Sequence, residues 1–118
     1  MEFYNYKLKQ IDKVVDGDTI DVTIDLGFDI FTSQRIRLKG VNTPESRTRD
    51  KEEKKRGLAA KSFVEFQLSS IEDVVLKTFK DKPGKYGRVL GDFIINGESL
   101  VNQIIDQGYG IPYNGGKR

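Results

Sequence analysis

The stretch R-I-R-L-K-G-V-N-T-P-E, residues Arg35 to Glu45, decides how the rest of the chain is read. It opens as a strand, with Ile36 and Leu38 on one face and Arg35, Arg37 and Lys39 on the other. The alternation stops at Gly40, and the chain reaches Asn42-Thr43-Pro44-Glu45. The Pro44 ring fixes its own φ and crowds Thr43 out of helical space, so the turn is stiff. Two readings follow. A stiff turn bearing a carboxylate, at the end of a strand bearing guanidinium groups, suits a site. An ordinary strand with a polar outer face and a proline turn gives the same pattern.

Upstream of this stretch, Tyr4 to Val15 interleave polar and apolar residues as a first strand. Asp16-Gly17-Asp18 is a turn signal. Ile20, Val22, Ile24 and Leu26 then alternate with Asp21, Thr23 and Asp25, a half-buried second strand. Asp18 shares the parity of Ile20 and Val22, the face expected to turn inward. A carboxylate there is costly to desolvate unless a cation meets it. The alternative is a solvated turn cap. Gly27 to Ser33 read as a connection, and the third strand runs to about Val41, which makes the first three strands a meander.

Downstream, Ser46 to Arg56 hold six basic residues (Arg47, Arg49, Lys51, Lys54, Lys55, Arg56) and three acidic ones (Asp50, Glu52, Glu53). Almost nothing there is apolar, so residues 46–56 are expected to be an exposed basic loop. Gly57 to about Ser69 read as a helix with two apolar rows, Ala59-Phe63-Phe66 and Ala60-Val64-Leu68, and both phenylalanines are expected in the core. Glu72 to Phe79 and Tyr86 to Ile95 are the fourth and fifth strands, the latter containing Gly87 and Gly91 as candidate bulges or close approaches. Ser99 is placed to cap a second helix over Leu100 to Gln107, stopped by Gly108. Residues 109–118 are expected to be an irregular tail.

Bulk composition narrows the chemistry. The 118 residues suit one domain over 1–118. With no cysteine and no histidine, disulfides, thiolate or imidazole zinc sites and Ser-His-Asp catalysis are excluded. Chemistry must run on carboxylates, Lys, Arg, Tyr, hydroxyls and a hard cation held by oxygen. The balance of 20 basic against 18 acidic residues gives a net charge of +2, so position matters more than total. No apolar run suggests a signal peptide or a membrane span, which favours a cytoplasmic over a secreted location. No protein partner is evident, and a monomer is expected.

The order β-β-β-α-β-β-α fits a mainly β chain with helices: a five-stranded Greek-key barrel of the OB type with two helices. Such a fold does not give function by itself.

Three motifs stand together on it: Asp16-Gly17-Asp18-Thr19; Arg37 followed by Asn42-Thr43-Pro44-Glu45; and Lys85-Tyr86-Gly87-Arg88. In this order and at these separations the chain resembles the staphylococcal nuclease (thermonuclease) family, from about Val14 to Gly108. The resemblance implies a metal-dependent endonuclease that acts on DNA or RNA, prefers single-stranded or frayed substrate and leaves 3′-phosphate ends. It implies that Asp18, Asn42 and the Thr43 carbonyl hold the metal, with Ca²⁺ the expected ion and Mg²⁺ the alternative. Glu45 then matches the carboxylate that activates or orients water, and Arg37 and Arg88 the groups that grip the scissile phosphate. Lys85, Tyr86 and Tyr113 match positions contacting the nucleotide, Tyr113 with a slip of about one residue. In isolation each arginine also reads as a surface salt bridge, and Glu45 as a turn cap.

The residue types suit this chemistry. A hard cation polarises a phosphoryl group, a carboxylate orders the water, and two guanidiniums meet the developing charge. Asn42 departs from the family pattern, which has an Asp there. The loss of one charge predicts looser metal binding with activity retained, and Asp16 or Asp21 are candidates to supply charge indirectly. The alternative function is an OB-type nucleic-acid-binding module with weakened or absent turnover; a purely structural barrel is a third reading.

Overall fold

The computed structural model describes residues 3–79 and 89–113. Strands β1 (Phe3–Asp16), β2 (Thr19–Asp25) and β3 (Phe31–Leu38) form the expected antiparallel meander. Its alternation holds: Ile20, Val22 and Ile24 of β2 are buried, as are Ile36 and Leu38 of β3. Leu26 is the exception, exposed beside the hairpin turn, because β2 ends at Asp25. After α1 (Lys51–Gln67) come β5 (Val74–Phe79) and β6 (Val89–Ile95). β5 pairs with β1 and β6 pairs with β5, both antiparallel. β6 then returns to β3 in parallel register, Ile36 opposite Val89 and Leu38 opposite Gly91. That last pairing closes a five-stranded barrel, β3-β2-β1-β5-β6, which leaves no open edge along the ring. A Cβ on Gly91 would stand 3.0 Å from the Lys77 carbonyl oxygen, a close backbone approach where the barrel seals.

The core fills the ring with Ile20, Val22, Ile36, Leu76 and Phe93, and is capped by Val64 of α1 and by Leu100 and Ile104 of α2 (Leu100–Asp106). Each such side chain contributes about 1.5–3 kcal/mol on burial. Ser99 accepts from the Asn102 N–H as the cap of α2, as its position predicted.

Four expectations are corrected. Helix α1 starts at Lys51, six residues before Gly57, so the exposed basic loop assigned to 46–56 shrinks to 46–50, and Ser46 within it is buried. The cause is local: Asp50 accepts from the N–H groups of Glu52 and Glu53, and those two acids sit favourably in the first turn. Phe66 lies in solvent, 75% exposed, because α1 turns the Ala60-Val64-Leu68 row toward the barrel and carries Phe66 away from it. Phe63 is half-buried and stacks on Tyr109 with ring centroids 4.7 Å apart. The third strand stops at Leu38; a turn with Gly40 at φ +93° leads into β4 (Val41–Asn42). The tail is not irregular throughout: β8 (Ile111–Pro112) pairs with β4. β7 (Glu98–Ser99) adds a short hairpin to β6.

Candidate active site

The turn after β4 sits at one end of the barrel, beside the β1–β2 turn. It is held there by carboxylates that accept backbone N–H groups. Asp18 takes the N–H of Thr43 at 3.0 Å. Asp16 takes the N–H of Ser46 at 3.2 Å and also accepts from the Ser46 hydroxyl. Glu53, from α1, takes the N–H of Glu45 at 3.1 Å. Irregular backbone needs partners for its polar groups, and here side chains supply them. Asp18 faces inward, as its parity with Ile20 and Val22 predicted, and is 8% exposed.

Arg37 is the cation that meets Asp18. Its register partner on β2 is Thr19, next to Asp18, so barrel pairing alone brings the two together. Arg37 Nη2 lies 3.5 Å from Asp18 Oδ2 and donates to Asn42 Oδ1 at 2.7 Å. Nη1 donates to the carbonyl oxygens of Leu38 and Val41, at 2.7 and 2.9 Å. One guanidinium thus spans the Gly40 turn and both polar side chains below it. The ring of Tyr113 lies 5.8 Å from the same guanidinium, and the Tyr113 N–H donates to the Gly40 carbonyl at 3.0 Å. Such a contact adds modest cation–π attraction.

Asp18, Arg37, Asn42, Thr43 and Tyr113 are therefore gathered at one place. Asn42 and Thr43 are buried, while Glu45 is exposed at the rim. The expectations for Lys85, Tyr86 and Arg88 fall outside the described residues; described β6 begins at Val89, one register step from the Arg37–Leu90 pair. A cleft of about 860 Å³ opens beside the turn, between Asn42-Thr43-Pro44, the α1 residues Glu53 and Arg56, and the segment ending at Tyr113. Of the cluster, Asn42, Thr43 and Tyr113 line this cleft, whereas Asp18, Arg37 and Glu45 do not.

Asp16 and Asp21, considered as sources of charge for Asn42, are engaged elsewhere. Asp16 binds Ser46. Asp21 forms a two-point pair with Arg35 at 2.7 and 3.0 Å on the outer barrel face, and the Arg35 hydrogen bond holds its carboxyl below the usual range. Two contributors escaped the sequence reading, Asp16 as a structural anchor and Glu53 as the partner of Glu45. Glu53 carried a signal, since Asp50-x-x-Glu53 is the spacing of a helix start.

The oxygens gathered beside Arg37 are those of the Asp18 carboxylate and of the Asn42 side chain, the latter already accepting from Arg37. They are of the right kind for a hard ion, but they carry one formal charge between them. Among the described residues, no group of three or more Asp, Glu, His or Cys side chains comes together. A cation held here would need water and phosphate to complete its shell, as is usual for Mg²⁺ and for weak Ca²⁺ sites.

Comparison with known proteins agrees with this geometry. Residues 35–117 match the staphylococcal nuclease homologue family. An uncharacterized protein of Bacillus anthracis is 32% identical over 117 residues, covering 93% of this chain and 52% of that protein. Endonuclease YhcR of Bacillus subtilis is 29% identical over 109 residues, covering 87% of this chain and 9% of that enzyme. The chain thus spans about half of one relative and under a tenth of the other. A closed five-stranded barrel with two helices, and a family match that starts at Arg35 and takes in the whole turn to Glu45, make the chain a member of the staphylococcal nuclease homologue family.

Proposed function

We propose that the protein hydrolyses phosphodiester bonds within DNA or RNA strands, with single-stranded or frayed substrate preferred and 3′-phosphate ends produced. One observation carries the reading: Arg37 is fixed over Asp18 and Asn42 while Glu45 stands exposed on the same stiff turn. A phosphate approaching the surface meets the guanidinium, and a water beside it meets the carboxylate.

Arg37 binds and orients the phosphate. Its Nη1 bonds to Leu38 and Val41 hold the fork in place before substrate arrives. Arg88 is assigned the second grip on the phosphate, and Lys85, Tyr86 and Tyr113 contacts to the flanking nucleotide. Glu45 accepts a proton from water or holds it in line. Asp18, Asn42 and the Thr43 carbonyl would hold Ca²⁺, or Mg²⁺ as the alternative, and the bound ion would supply Lewis-acid polarisation of the phosphoryl group.

A binding module without turnover is the second reading. The feature favouring it is Asn42, whose side-chain oxygen is bonded to Arg37 and brings no charge to a cation. Incubation with denatured DNA and with RNA, in Ca²⁺, Mg²⁺ or EDTA, separates the two. The nuclease reading expects cation-dependent cleavage that is lost in Arg88→Ala. Salt-sensitive binding with no cleavage in any metal supports the binding module.

A further inference from the structure

Glu45 is exposed on a turn at the protein surface, and its backbone is packed against helix α1. Helix α1 holds that backbone at two points. Glu53 Oε2 accepts the Glu45 N–H at 3.1 Å. One helical turn further, a Cβ built on Gly57 would stand 2.2 Å from the Glu45 carbonyl oxygen, 2.4 Å from its carbon and 2.7 Å from the Ser46 nitrogen. Residues four apart share one helix face, so a single face of α1 touches the peptide groups on both sides of the Glu45 Cα.

Glu53 is released for this contact by the way the helix starts. In a capping box the third helical residue turns its carboxylate back to the N–H of the cap residue. Here the Asp50 N–H instead donates to Thr48 Oγ1 at 3.3 Å. The Asp50 side chain satisfies the Glu52 and Glu53 N–H groups at 3.0 and 3.2 Å. The helix end is served without Glu53, and Glu53 reaches across to the turn.

We propose that Glu53 and Gly57 are positioning residues for Glu45: the Glu53 carboxylate anchors its N–H, and the bare Gly57 backbone lets α1 press on its carbonyl. The inference rests on the role proposed above for Glu45. A displacement of about 1 Å at a reacting group can cost on the order of 10²-fold in rate. Gly57→Ala forces a shift of that order, because backbone atoms at 2.2 Å must move. Glu53→Ala loosens the N–H anchor, and Glu53→Gln retains an acceptor oxygen at the same place.

The test is steady-state cleavage of denatured DNA by the three variants, with ¹H–¹⁵N spectra of each. Glu53→Ala is expected to lower kcat about tenfold with KM within about twofold, equivalent to one lost hydrogen bond. Gly57→Ala should lower kcat on the order of 10²-fold, and Glu53→Gln should restore most of the rate. The Glu45 amide resonance should move and exchange faster in Glu53→Ala, keep its place in Glu53→Gln, and leave the β1–β2 amides unchanged. Glu53 is on the helix surface, so its variants fold even if Gly57→Ala does not. Cleavage abolished by Glu45→Ala but unaffected by Glu53→Ala overturns the positioning role alone. A wild-type protein that cleaves nothing overturns the function on which it rests.

Discussion

Arg37 donates to the side-chain oxygen of Asn42 at 2.7 Å, and the same terminal nitrogen lies 3.5 Å from Asp18. The guanidinium therefore occupies the ground a divalent cation would share. A cation held there would share the Asp18 carboxylate and the Asn42 oxygen with Arg37. Substitution Asn42→Asp adds the second carboxylate, and the gain in Coulomb attraction should tighten Ca²⁺ binding about tenfold or more. Calorimetric Ca²⁺ titration of both forms checks this. Unchanged affinity together with an unchanged cleavage rate would remove Asn42 from the metal site.

Asp18 is also structural. It accepts the Thr43 N–H and faces Arg37, with side-chain exposures of 11% for Asp18 and 13% for Arg37. Removing one partner of a buried pair leaves the other uncompensated, so Asp18→Ala should cost about 3 kcal/mol in EDTA. Asp18→Asn keeps an acceptor for Thr43 and should cost less. Urea denaturation measures both. A loss below about 0.5 kcal/mol in Asp18→Ala, the range of ordinary surface changes, would contradict the pairing.

A pH-dependent stability term comes from Asp92. Burial raises its carboxyl above the usual range, against the Ser99 hydroxyl and the Val101 and Phe93 amides, which favour the charged form. The folded protein then holds this proton more tightly than the unfolded chain does. Its favourable contribution is full below the unfolded pKa and is lost as pH rises through the folded one. Relative to Asp92→Asn, the wild type should gain stability as pH falls from 7 toward 4, read by urea denaturation at each pH. Asp21, lowered by Arg35, runs the other way, losing its contribution as pH falls, but the pair is exposed and the comparison with Asp92→Asn cancels it. A difference that is flat with pH would place Asp92 in solvent.

What the sequence made legible follows from periodicity. The alternation in Ile20-Val22-Ile24 and Ile36-Leu38 gave strands, and the element order gave the barrel. Parity put Asp18 inside. The start of α1 escaped because Lys51 to Arg56 carry no apolar stripe; the helix there rests on the Asp50 cap and on charge placement. Phe66 misled because its row meets a surface only at Phe63, which stacks on Tyr109, and leaves Phe66 in solvent. β8 was hidden because its side chains are exposed and only its backbone pairs with Val41 and Asn42. In the candidate site, the residue types of Arg37, Asn42 and Glu45 were readable, but their hydrogen-bond partners were not. Asp16 and Glu53 are bound to a turn 30 and 8 residues away in sequence, and no local pattern records such contacts.

In the proposed function, Glu45 orders the attacking water beside a phosphate held by Arg37. The direct measurement is the initial rate of cleavage of denatured DNA in Ca²⁺ by wild type, Glu45→Gln and Arg37→Ala, with binding of the same DNA followed in parallel. Glu45→Gln should lose on the order of 10²–10³ in kcat while DNA affinity stays within about threefold, and Arg37→Ala should lose at least as much. Wild-type rates in Glu45→Gln would contradict this role of Glu45.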